Sequence, residues 1–150
     1  MPPFHRLETT EHTLLEKLLV GDHPLLEQLR KQAKLVVVRT RTPLAGVGIS
    51  LELHVPRATH HLPGHETRDV ELDDVGFQLQ GAQEGGQAHV FVQGGFLARL
   101  EMYNWADDWP QQPVLEEEPF HLVSGNRTPA PSGQRDMRAV TRKLEPPTKV

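Results

Sequence analysis

The 150-residue chain contains no cysteine. That absence excludes disulfides, thiolate metal sites, iron–sulfur clusters and cysteine nucleophiles, and it suits a reducing cytosol. Serine is scarce as well: only Ser50, Ser124 and Ser132 occur, and none sits in a Gly-x-Ser-x-Gly elbow. A phosphate loop of the Gly-x-x-x-x-Gly-Lys-Ser/Thr kind is missing, and Gly46-x-Gly48 joins two predicted strands instead of opening a helix. No cofactor is therefore expected. Long apolar runs are lacking too, since none approaches the roughly 18 residues of a membrane span. The opening Met1-Pro2-Pro3-Phe4-His5-Arg6 leads into a charged stretch without the apolar centre of a secretory leader. The expectation is a cytoplasmic protein with no membrane partner.

Basic charge is in short supply over most of the chain. Residues 1–123 carry 10 Lys and Arg against 18 Asp and Glu, a net of −8, whereas residues 124–150 carry 6 against 2, a net of +4. An acidic body repels phosphates, so nucleic acid is not an expected partner. Residues 124–150 are also rich in Pro, Arg, Thr and Ser and poor in apolar side chains. They read as a disordered, flexible tail behind a single domain at 1–123, and removing them is expected to leave that domain folded.

What the sequence does contain is two kinds of periodicity. Leu14, Leu15, Leu18 and Leu19 form one stripe of a helix that Thr9 or Thr10 would cap and Gly21 would end. Asp22 is placed to cap a second helix, with Pro24 in its first turn and Leu25, Leu26 and Leu29 on its apolar side. From Lys34 the period changes to that of strands: 35–42, 47–55, 69–75, 77–80, 89–92 and 96–103, joined by turns that include Gly94-Gly95. In the last of these Phe96, Leu97, Leu100 and Tyr103 fit a short helical turn no worse than a strand, and strand is the reading taken. Phe120-His121-Leu122-Val123 can dock as a short edge segment. The fold class this predicts is α+β, with two N-terminal helices packed on an antiparallel sheet of five to six strands.

Three stretches carry a family resemblance. They are Gly21-Asp22-His23-Pro24 with Leu29-Arg30 and Gln32, then Gly46-Val47-Gly48, then Leu100-Glu101-Met102-Tyr103 running to Trp109-Pro110. In their order and spacing the chain resembles a family of short, uncharacterised bacterial proteins from about Leu14 to Pro110. Departures occur where that family usually has aromatic residues after the middle motif and this chain has Ile49-Ser50. The final motif also differs, with Met102-Tyr103-Asn104-Trp105 in place of a Gly-Tyr-Thr-Tyr-like run. The resemblance implies no activity.

Nine histidines are present, and His54, His60, His61 and His65 crowd into one stretch. His60, His61 and His65 with Glu66 make a candidate metal set, although Pro63 and Gly64 break the helix that an i,i+4 pair would need. Loop histidines beside Pro and Gly are more often solvated. Asp69, Glu71 and Asp73 alternate with Val70 and Leu72, which places them on the solvent side of a strand. The most distinctive segment is 101–110. It holds the only Tyr and both Trp residues, and Glu101, Tyr103, Trp105, Asp107, Asp108 and Trp109 together look like apolar anchors in a charged rim. The competing expectation is that Tyr103 and one Trp cap the core.

Three function classes follow. The leading one is a non-catalytic protein-interaction module that engages another, basic, protein, on the pattern of an immunity protein or antitoxin. A small metal-assisted hydrolase built on His60, His61 and His65 is the second. A small-molecule binding domain using a concave sheet face is the third.

Overall fold

The computed structural model describes residues 5–56, 69–123, 127–131 and 134–145. Two helices lead, α1 (Thr9–Leu18) and α2 (Pro24–Ala33). Five strands follow: β1 (Val37–Leu44), β2 (Gly48–His54), β3 (Val70–Phe77), β4 (Gly86–Gln93) and β5 (Phe96–Asn104). A two-residue β6 (Phe120–His121) and a third helix α3 (Met137–Leu144) complete the elements among the described residues. All strands pair antiparallel in the order β1-β2-β5-β4-β3-β6, so the α+β expectation holds.

The sheet has one greasy face. Leu51, Leu100, Val90 and Leu72 are cross-strand neighbours on β2, β5, β4 and β3, each at most 1% exposed. α1 covers β3 and β4 through Leu14, Leu15 and Leu18, and α2 covers β5 through Leu26 and Leu29. Burying one such leucine contributes roughly 1.5–3 kcal/mol, which makes this face the main source of stability. The opposite face carries Glu52, Arg99, Phe91 and Glu71 in register.

Several local expectations shift. Glu8 is the N-cap of α1, where Glu11 accepts the Glu8 N–H at 2.8 Å, and Thr9 and Thr10 already lie inside the helix. His23 rather than Asp22 caps α2, its Nδ1 accepting from the Leu25 N–H at 3.1 Å. β1 continues through Pro43, which an edge strand tolerates because one of its sides needs no ladder donor. The 77–80 strand does not form: β3 runs to Phe77, and beyond it only Leu79 bridges to Leu115.

The largest difference lies in the C-terminal segment, expected to be disordered. Residues 137–144 form α3, capped by Asp136 through the Ala139 N–H, and Val140 and Leu144 are buried at 3% and 0% exposure. Met137, Val140 and Leu144 share one stripe, so even eight residues have an apolar side to dock. Gly21, at φ +141°, makes room for it, since a Cβ there would stand 2.6 Å from the Met137 sulfur.

Candidate functional site

β3 alternates regularly until Leu72, then departs from register. Leu72 pairs with Val90 and Val75 with Ala88, so Asp73 and Asp74 together oppose the single residue His89. This is a β-bulge, which turns two neighbouring carboxylates in different directions. Asp74 receives a bidentate grip from Arg135, with Nε to Oδ2 at 2.9 Å and Nη2 to Oδ1 at 2.7 Å. Asp73 meets the Lys143 ammonium of α3 at 2.7 Å.

α3 thus stands beside the bulge and closes one side of a cleft of about 350 Å³. Asp73, Gln87, His89 and Tyr103 come from β3, β4 and β5, while Arg127 and Lys143 come from the C-terminal segment. Leu72, Leu122, Ala139 and Val140 supply the apolar lining.

The polar groups form one connected chain. His89 Nδ1 lies 2.8 Å from Glu71 Oε1, and its Nε2 lies 3.2 Å from the Tyr103 hydroxyl. That hydroxyl also reaches Gln87 Oε1 at 3.3 Å, an oxygen that accepts from the Trp105 indole N–H at 3.3 Å. Having one proton and two acceptors in reach, the hydroxyl can serve only one of them at a time. Gln87 Nε2 is spent on the Asp73 carbonyl oxygen at 2.6 Å. Burial pushes the Tyr103 phenol above its ordinary pKa; Asp73, Glu71 and Glu101 add to the rise, and Arg127 opposes it. Tyr103 is therefore a neutral hydrogen-bonding group at physiological pH.

Of the residues singled out from sequence, Tyr103 lies in the cleft and Trp105 at its rim. The Arg127 guanidinium stands 4.9 Å from the Trp105 ring centroid. Trp109 turns inward instead, meeting Phe77 edge to face at 6.0 Å, and its backbone N–H is held by Gly46 O at 2.8 Å. Asp107 accepts the Glu84 N–H at 3.0 Å, Asp108 offers its carbonyl to Asn104 at 3.1 Å, and Glu101 joins Ser50 and Arg99 on the open face. His60, His61, His65 and Glu66 lie outside the described residues. The motifs behind the family resemblance are mostly structural pins. Gln32, fully buried, bonds Gly95 O and Leu97 N at 2.9 Å each, and Arg30 holds the carbonyls of Leu19 and Gly21.

Sequence reasoning missed His89, Gln87, Arg127 and Lys143. For His89 a signal existed: Leu72 and Val75 are three apart, not two, in an otherwise alternating strand, which marks a bulge. Glu71, Asp73 and His89 bring ligand atoms within 4.8 Å of one another, the one such group among the described residues. Comparison with protein-family models, curated proteins and solved structures found no match to this chain.

Proposed function

We propose that the chain is a binding module whose cleft, between β3–β5 and α3, takes a small organic anion. The observation that carries this reading is Arg127. Asp73 and Asp74 are each met by a cation of the C-terminal segment, whereas Arg127 lines the cleft against Trp105 and meets no carboxylate among the described residues. A guanidinium backed by an aromatic ring and facing a neutral phenol suits a carboxylate or phosphate, which takes two N–H bonds from the one and a hydroxyl bond from the other. The apolar lining and the volume, near the low end of the roughly 300–1,000 Å³ of small-molecule sites, limit the ligand to roughly a dozen heavy atoms. On this reading the segment at 101–109 serves the cleft: Tyr103 and Trp105 position Gln87 and Arg127, and Trp109 anchors the segment to the core.

The experiment is a ligand-observed NMR screen of small carboxylates and phosphates. A binder should be weakened about tenfold or more by Arg127→Ala and by Tyr103→Phe, each change removing a charge-assisted or hydroxyl bond worth about 1.5–3 kcal/mol. Absence of any binder tighter than about 1 mM, or binding indifferent to Arg127→Ala, would sink the reading.

A further inference from the structure

Glu71, Asp73 and His89 meet where the bulge of β3 faces β4, at the mouth of the cleft. Each offers one ligand atom, two carboxylate oxygens and one imidazole nitrogen, all within 4.8 Å of one another. His89 Nδ1 is already 2.8 Å from Glu71 Oε1, a separation that a cation placed between them would need to widen only slightly. The three side chains are between 17% and 46% exposed, so water can complete a coordination shell. His89 is held from its far side by the Tyr103 hydroxyl on Nε2, which fixes the ring and aims Nδ1 at the carboxylates. Most telling is what sits there now. The Lys143 ammonium, carried in by α3, lies 2.7 Å from Asp73 Oδ1, so the cluster already draws a cation from elsewhere in the chain.

We infer that Glu71, Asp73 and His89 form a divalent transition-metal site of the zinc type, for which Lys143 is the built-in competitor. One imidazole and two carboxylates with water in the fourth position match the donor set that zinc accepts, and the nitrogen ligand selects against calcium and magnesium. A divalent ion on Asp73 repels the Lys143 ammonium, which lies 2.7 Å from Oδ1 of the same carboxylate. Binding therefore moves Lys143 off Asp73 and couples the ion to the end of α3. The set shares no residue with His60, His61 and His65, and it stands whether or not the cleft takes an organic anion.

The test is calorimetric titration of zinc chloride into tag-free, chelator-treated full-length protein. One ion per chain is expected, with affinity falling about tenfold or more in His89→Ala and in Glu71→Gln. Lys143→Met should bind about tenfold more tightly than the unmodified chain, a gain that misfolding cannot produce. Replacing His60, His61 and His65 together by Ala should leave the titration unchanged. Failure of Lys143→Met to bind zinc stoichiometrically would overturn the inference, as would binding that survives His89→Ala and vanishes in the triple variant.

Discussion

The sheet is covered at two places by opposite chemistry. α1 and α2 lie on its greasy face through leucines that are at most 1% exposed. α3 docks through two buried apolar residues, Val140 and Leu144, and three polar ties: Arg135 to Asp74, Lys143 to Asp73, and Glu145 to His23 at 2.8 Å. Apolar packing is non-directional and gains with area, so it suits the part of the fold that never changes. Polar ties are specific in geometry and exchange readily with other ions, so they suit the part that borders a cleft.

The largest expected effect tests the first cover. Leu18→Ala removes a fully buried side chain between α1 and the sheet and should cost about 2.5–5 kcal/mol, read by urea denaturation. A cost under about 1 kcal/mol would mean that α1 is no more firmly seated than α3, and the contrast would fail.

The second cover is probed by Arg135→Ala. Its guanidinium side chain is 4% exposed, bonds both oxygens of Asp74 and donates to Val20 O at 2.6 Å. Removing it leaves the Asp74 carboxylate partly buried without its partner, at an expected cost of about 2–3 kcal/mol. Asp74→Asn in the same chain should recover part of that loss. If the double variant is as unstable as the single one, the tie acts through packing alone.

The contrast between the two covers also explains what could be read from the sequence. Strong local periodicity gave away α1, α2 and β2, because every second or every third and fourth residue repeats one physical instruction. β5 was harder, since Phe96, Leu97, Leu100 and Tyr103 fit neither period cleanly; a register shift where β4 pairs with it, at Phe91 and Val92, accounts for the irregularity. α3 was hidden by its surroundings. Eight residues among prolines cannot hold a helix alone, yet Met137, Val140 and Leu144 find Gly21 and β3 once the domain has formed. The candidate site was less legible still. Its members come from β3, β4, β5 and two C-terminal positions, and only the fold brings Arg127 and Lys143 next to His89. The aromatic segment stood out for its composition, but composition could not separate Trp109, packed on Phe77, from Trp105, set at the rim.

The smallest expected effect lies at the seam between the two covers. His121 on β6 is 3% exposed; its Nε2 donates to Lys17 O of α1 at 3.0 Å, and its Nδ1 has no partner among the described residues. Burial pushes its pKa below the ordinary 6.5, the Lys17 carbonyl bond opposes that shift, Arg135 and Lys17 deepen it, and Asp74 resists it. Because the folded value is the lower one, the unfolded chain binds more protons between the two values, and stability rises with pH across that window. The contribution is therefore fully present above about pH 6.5, and it is lost as pH falls from there through the folded value. His121→Gln keeps a donor for Lys17 O but cannot titrate. Urea midpoints at pH 7.5 and 5.5 should differ more for the unmodified chain than for this variant, the difference being the share due to His121. Equal differences in the two proteins would mean that His121 contributes nothing to the pH response and that acid acts elsewhere.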